Sequence, residues 1–219
     1  MNLFTLADPA GTLGLNLIFC KKTEIQEVII VDTLAFGRVL IMGGEMQSAQ
    51  KDEAIYHNAL VKPLTEKKYK SVLILGGGSL ACARDVLKTK TERVTMVDID
   101  REIVKIAHTH LKEWHQGAMN DGRLTIVTDD AFTFIRKTPG KYDAIISDLP
   151  VELAEPSQFF ADCYFKLNRG GVFCSHASEE KADWMFHEIE YHFDHVEEHV
   201  VYIPSFQGEW TFFHARRSK

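Results

Sequence analysis

The sequence predicts an α/β protein: an open, mostly parallel sheet with helices on both faces, preceded by a small antiparallel β-sheet. Three observations carry this. Strand-like and helix-like segments alternate through five units after residue 51, the pattern of repeated βα connections. The run Gly76-Gly77-Gly78 follows the first of those strands and opens its helix. Residues 1–50 lack helical periodicity and carry hairpin signals. The expected division is therefore 1–50, a β-hairpin or sheet domain, and 51–219, a nucleoside-binding catalytic domain.

Taken in order, Glu24–Asp32 (EIQEVIIVD) reads as a strand, Ala35–Arg38 as a turn, and Val39–Met42 as a second strand. Gly43-Gly44 is a hairpin signal before a short strand, Glu45–Ser48. Asp52–Leu64 reads as a helix with Pro63 near its end. Ser71–Leu75 (SVLIL) is continuously apolar, as a parallel strand buried on both faces should be. The alternation then runs through helix Leu80–Lys90, strand Arg93–Asp98, helix Arg101–Trp114, strand Arg123–Val127 and helix Ala131–Lys137. It continues with strand Tyr142–Asp148, helix Gln158–Leu167, strand Gly171–Ser175 and helix Glu180–Phe193. Val196–Ile203 and Trp210–Ala215 close the chain as two strands with no helix between them, an antiparallel addition at one edge.

Composition bounds the function. With 219 residues and 45% hydrophobic content, the chain can bury about 70% of its unfolded surface, so it folds without disulfides or metals. No run of about 18 apolar residues is present, which excludes a spanning helix. A net charge of −6 argues against nucleic acid, which needs a basic stripe. Cys20, Cys82, Cys163 and Cys174 are widely spaced with no CxxC, and read as reduced thiols of a cytoplasmic protein. The N-terminal MNLFTLADPAGTLG has neither a basic start nor an apolar run, so no signal peptide is expected.

Four positions carry chemistry. Gly76, Gly77 and Gly78 let the backbone approach a ligand, and the helix starting at Ser79 or Leu80 offers free N–H groups. Asp98 ends the next strand about 20 residues on, where an acid binds both ribose hydroxyls. Together they specify a nucleoside site; a glycine-rich turn without a ligand is the bland alternative. Asp130, before Ala131, can accept from an adenine amino group, and Asp129 or Asp130 can equally cap a helix. Asp148 ends a buried strand at the crevice where open α/β sheets bind ligands, in catalysis or as a loop-capping carboxylate. Histidines 187, 192, 195 and 199 straddle a helix-to-strand break, and 108, 110 and 115 share no helix face. Both groups read as surface residues, and no metal is expected.

These residues resemble the spermidine synthase (aminopropyltransferase) family. Its members look like Y-Q-x-I-x-V-x-x-x-x-x-G-x-V-L-x-L-D-G-x-x-Q-x-x-x-x-D-E-x-x-Y-H-E followed by G-G-G-D-G. Here Gln26-Glu27-Val28, Phe36-Gly37-Arg38-Val39-Leu40, Gly43-Gly44-Glu45-Met46-Gln47 and Asp52-Glu53-Ala54-Ile55-Tyr56-His57 stand at the family spacing. The likeness covers about residues 20–219 and includes Ile203-Pro204-Ser205-Phe206-Gln207-Gly208. It implies a seven-stranded, methyltransferase-like Rossmann domain behind an N-terminal β-sheet, shortened because the chain starts late in the family pattern. It also implies a homodimer or homotetramer. For the site it implies nucleoside contacts from Gln26, His57, Gly76, Gly77, Gly78, Ser79, Asp98, Ile99, Asp130 and Ala131, with Asp148 and Tyr56 acting on the amine.

The departures fall on the amine half of the site. G-G-G-D-G becomes Gly76-Gly77-Gly78-Ser79-Leu80, and D-S-S-D-P is shortened to Asp148-Leu149-Pro150. Asn58 replaces the glutamate of Y-H-E, and Phe206 replaces a late tyrosine. The implied reaction is attack of an amine on the sulfonium-activated carbon of decarboxylated S-adenosylmethionine, leaving methylthioadenosine. Asp148 would orient the amine and take its proton, and Tyr56 would hydrogen-bond it; core packing is the other reading of Tyr56. Two alternatives stay open. One is a methyltransferase or a lyase or cyclase using S-adenosylmethionine on the same fold. The other is a catalytically inactive homologue.

Overall fold

The computed structural model describes residues 14–150 and 155–218; most of the N-terminal stretch read above for a signal peptide lies outside them. Four strands, β1 Asn16–Lys22, β2 Glu27–Thr33, β3 Gly37–Met42 and β4 Glu45–Ala49, form an antiparallel sheet in chain order. Both faces of β2 and β3 are covered. Val28, Ile30 and Leu40 point into the core beneath the larger sheet, and Ile29, Val31, Val39 and Ile41 form a separate cluster with Ala49. Helix α1, Glu53–Glu66, leads into the larger sheet.

That sheet has seven strands in the order β10-β11-β9-β8-β5-β6-β7. They are β5 Ser71–Gly76, β6 Arg93–Asp98, β7 Leu124–Thr128, β8 Tyr142–Asp148, β9 Leu167–Ser178, β10 His195–Ile203 and β11 Gly208–Arg216. Strands β5 to β9 are parallel, while β11 runs antiparallel to both β9 and β10. Helices α2 Ala81–Leu87, α3 Arg101–His110, α4 Lys112–His115, α5 Ala131–Lys137, α6 Pro156–Lys166 and α7 Glu179–His192 connect them. Two apolar clusters, one on each side of the sheet, make the core: Leu60, Ile74, Val86, Met96 and Trp114 belong to one, Leu73, Ile135, Phe160, Phe173 and Ile189 to the other. Ile74 and Leu73 alternate between them, which is why β5 is apolar throughout.

The expected α/β class and the antiparallel pair at the edge are present. Three local expectations are corrected. Strand β1 was not anticipated, because its residues are half or fully exposed and show no clean alternation. The helix expected over Arg101–Trp114 breaks at Leu111, whose ψ of 42° leaves the helical region. Leu111 and Trp114 bury themselves there. That break brings the His108 and His115 rings to 5.2 Å and buries His115, so His115 is a packed residue rather than a surface one. Strand β9 is longer than expected because β8 and β11 flank it on either side.

The small sheet is tied to the larger unit by side chains. Asp100 caps α3, accepting from Glu102 N and Ile103 N, and its second oxygen accepts from Thr23 Oγ1 at 2.7 Å. Arg38 grips Asp32 through two nitrogens and donates to the His110 carbonyl at 2.9 Å. Among the described residues, no helix is long and apolar enough to cross a membrane.

Candidate active site

Chain order reverses beside β5: β6 and β7 continue to one side, and β8 starts the other. Crevices at such switch points, beyond the carboxyl ends of the strands, are where open α/β sheets bind ligands. Gly76 ends β5 there and pairs with Asp148, the last residue of β8. Gly76 has φ +86°, and a Cβ on it would lie 2.3 Å from the Asp148 carbonyl oxygen, so only glycine lets the two strand ends close. A Cβ on Gly78 would lie 2.8 Å from Asp98 Oδ2 and 2.6 Å from Ile103 Cγ2. The glycine run thus packs against the Asp148 main chain and the Asp98 carboxylate.

Leu80, at the N-terminus of α2, has φ +67°. A left-handed non-glycine residue costs about 1–2 kcal/mol. Full burial of its side chain, worth about 1.5–3 kcal/mol for leucine, offsets that cost. Ser79 stands just before it, its Oγ within 3.4 Å of Ala81 N.

Asp98 accepts from Asp100 N at 2.9 Å. Burial, with Asp100 and Asp148 nearby, pushes its pKa up to about 6, against the pull of the Asp100 and Gly78 N–H groups. In the nucleoside role that the resemblance implies for Asp98, methylthioadenosine should bind less tightly as pH falls through about 6, because the neutral acid accepts hydroxyl hydrogen bonds less well. Asp98→Ala should cost about 1.5–3 kcal/mol of that binding. Calorimetry at pH 7 and pH 5 checks both, and a dissociation constant unchanged by the mutation would place the nucleoside elsewhere.

Asp130 caps α5, its Oδ1 accepting from Thr133 N at 2.7 Å, with Ala131 buried behind it. Ile99 is half exposed just past β6. Gln26 lies in the turn between β1 and β2, its carbonyl accepting from Thr23 Oγ1 and its Nε2 3.6 Å from Met42 Sδ.

Tyr56 comes from α1. Its ring makes edge contacts with Phe206, Trp210 and Phe212 at 5.2–6.3 Å. Burial, and then the charge of Asp148 beside it, hold its pKa well above the ordinary tyrosine value. Of the two readings of Tyr56, the ring contacts realise core packing.

His57 turns the other way. It is buried, and Nδ1 donates to the Glu53 carbonyl at 2.7 Å and lies 3.2 Å from Glu53 Oε2. Burial opposes its charge, but Glu53 and Asp148 raise its pKa above the usual histidine value. Glu53 in turn receives Arg84 on both oxygens, at 2.8 and 3.0 Å, and Arg84 also grips Asp85 and the Trp114 carbonyl. Asp52 is buried and binds the N–H and hydroxyl of Ser205 at 2.6 and 2.9 Å. That bond clamps the 204–206 turn, and with it Phe206, over Tyr56. Arg84, Trp210 and His176, which packs against Tyr56 at 5.3 Å, were not anticipated. Nothing in a lone basic or aromatic residue of a helix or strand marks it for such a place. Among the described residues, no group of three or more His, Cys, Asp or Glu side chains could hold a metal ion.

A spermine/spermidine synthase domain model matches residues 50–219. The polyamine aminopropyltransferase of Aeropyrum pernix is 37% identical over 218 residues, covering 90% of this chain and 68% of that protein. That of Sulfolobus acidocaldarius is 36% identical over 215 residues, covering 91% and 71%. The crystal structure of spermidine synthase from Thermotoga maritima superposes with a TM-score of 0.83 at 26% identity, covering 91% of this chain and 71% of that one. A spermidine synthase in complex with the transition state analogue AdoDATO superposes with a TM-score of 0.82 at the same identity and coverage. By sequence and by architecture, the chain belongs to the spermine/spermidine synthase family.

Proposed function

We propose that this enzyme transfers an aminopropyl group from decarboxylated S-adenosylmethionine to an amine such as putrescine, as a step of polyamine biosynthesis. The observation that carries the reading is Asp148 at the switch point, where it pairs with Gly76 and its charge acts on both Tyr56 and Asp98. In this mechanism Asp98 holds the ribose, Asp130 and Ala131 meet the adenine, and Ile99 covers the base. The glycine run and Ser79 line the donor's chain, with Gln26 closing the crevice and His57 supporting Tyr56 from behind. Asp148 orients the attacking amine and accepts its proton. The nitrogen lone pair then displaces methylthioadenosine, a neutral leaving group, from the sulfonium. We place the enzyme in the cytoplasm on its unpaired cysteines, as a homodimer or homotetramer.

One observation favours a second reading. Ser79 carries no charge, and the two acids at the start of α1 are engaged: Glu53 by Arg84 and His57, Asp52 by Ser205. A carboxylate at position 79 would repel intact S-adenosylmethionine; two charges about 4 Å apart cost about 1 kcal/mol in water and about 4 kcal/mol at an effective dielectric of 20. That barrier is absent, which suits a methyltransferase, lyase or cyclase acting on the intact sulfonium. We expect wild type to prefer the decarboxylated ligand, but by less than about 100-fold, or about 2.7 kcal/mol. Ser79→Asp should widen the preference. Dissociation constants for both ligands on both proteins test this. If wild type prefers intact S-adenosylmethionine and Ser79→Asp reverses the order, the second reading replaces the first.

A further inference from the structure

Glu53 opens α1 and is buried. Arg84 of α2 meets both of its oxygens, at 2.8 Å on Oε1 and 3.0 Å on Oε2. The same guanidinium binds both oxygens of Asp85 and donates to the Trp114 carbonyl, so all five of its N–H groups are spent. A carboxylate gripped in this way is ionised and fixed in its plane. One helical turn on, His57 Nδ1 lies 2.7 Å from the Glu53 carbonyl oxygen and 3.2 Å from Glu53 Oε2. Both oxygens are acceptors, so Nδ1 carries the proton. Among the described residues, the buried side-chain nitrogens without a partner are His108 Nδ1 and His176 Nδ1. His57 Nε2 has no partner there either, yet it is not sealed as those two are. It is the open nitrogen of the ring.

We propose that Glu53, locked by Arg84, is a positioning residue that acts through His57: it holds the ring with Nδ1–H turned inward and so leaves Nε2 as the nitrogen that meets the bound amine. The main-chain carbonyl alone sets the proton on Nδ1. The carboxylate adds a second constraint, on the tilt of the ring, and a fixed negative charge behind it. That charge favours a cation in front of Nε2, and both the donor chain and the acceptor of the proposed reaction carry an amine. The Tyr56 ring stands edge to face with His57 at 5.1 Å, so the tilt of one is passed to the other. The charged and titratable groups acting on His57 are Glu53 of α1, Arg84 of α2 through Glu53, Asp148 of β8 and His176 of β9.

The inference rests on the reading of the crevice as an amine site, and the test separates the two. Wild type, Glu53→Gln, His57→Gln and the double variant are compared for kcat/KM of putrescine with decarboxylated S-adenosylmethionine, and for thermal unfolding. Glu53→Gln should lower kcat/KM by about 10-fold, within the up to about 100-fold that a misplacement of about 1 Å costs. In the His57→Gln background the same change should cost less than about 2-fold, because contacts that act through one another are not additive. Its effect on the unfolding midpoint should persist in both backgrounds. An equal loss of kcat/KM in both backgrounds, or wild-type kcat/KM in Glu53→Gln, overturns the inference. Nitrogen-15 NMR, with His57 assigned by the signal lost in His57→Gln, gives a readout independent of turnover. At about pH 9, above the usual histidine range, the neutral ring of wild type should be the Nδ1–H tautomer. In Glu53→Gln its titration midpoint should fall by about one pH unit, the lower end for loss of an adjacent opposite charge. An Nε2–H tautomer in wild type, or an unmoved midpoint, overturns the inference; the tautomer is read even if Glu53→Gln fails to fold. Absence of turnover in wild type with any amine, beside the expected NMR signature, counts against the aminopropyl reading and not against the hold of Glu53 on His57.

Discussion

Asp148→Asn leaves the fold and nucleoside binding intact and lowers turnover by at least about 100-fold, the lower end for loss of a general base. The amide keeps the size of the side chain, so the switch point stays packed. It cannot accept a proton from an alkylammonium, whose pKa lies near that of lysine, about 10. Initial rates of methylthioadenosine release, beside its dissociation constant, check the result. Wild-type turnover in the variant removes Asp148 from the mechanism, and a parallel loss of nucleoside binding would make it a structural residue.

Arg84→Leu is the largest expected loss of stability, about 3–5 kcal/mol, the range for breaking a buried ion pair by removing one partner. Glu53 and Asp85 are both buried. Burial alone would raise their pKa values, yet hydrogen bonds from His57 and Arg84 on Glu53, and from Arg84 and Lys88 on Asp85, hold both below the usual range. Without the guanidinium, Glu53 is left with His57, Asp85 with the half-exposed Lys88, and the Trp114 carbonyl loses its Arg84 donor. At about 2–4 °C per kcal/mol for a domain of this size, the midpoint of thermal unfolding should fall by roughly 6–20 °C. Urea unfolding checks it, and a loss below about 1 kcal/mol would contradict the account. Replacing Glu53, Arg84 and Asp85 together with apolar residues should cost less than Arg84→Leu alone, because no buried charge is then left unpaired.

What was legible in the sequence divides along physical lines. Strands buried on both faces, such as β5 and β8, announce themselves as apolar runs. The ends of β6 and β8, where Asp98 and Asp148 stand, follow directly from those runs. The glycines were legible because a strand-to-helix turn with three of them has few other uses. Strand β1 was not legible, since an exposed edge strand needs no apolar alternation. Neither was the break at Leu111, where burial of Leu111 and Trp114 overrides helical continuity. Arg84 and His176 were hidden for a different reason. Their roles depend on partners 31 residues away at Glu53 and, for His176, on the Tyr56 and Trp210 rings. A single residue does not advertise a contact that only the folded sheet creates. The helix that carries Tyr56 was legible as the Asp52–Leu64 segment, and the Ser205 clamp on Asp52 was not.

The central claim is that the Asp148–Tyr56 centre passes an aminopropyl group and not a methyl group. Its most direct test is incubation of the enzyme with decarboxylated and with intact S-adenosylmethionine, each beside a panel of mono-, di- and triamines, with products read by mass spectrometry. The account predicts methylthioadenosine, together with an amine heavier by one aminopropyl unit, from the decarboxylated donor. Formation of S-adenosylhomocysteine and a methylated amine from the intact donor, with no methylthioadenosine from the decarboxylated one, would contradict it.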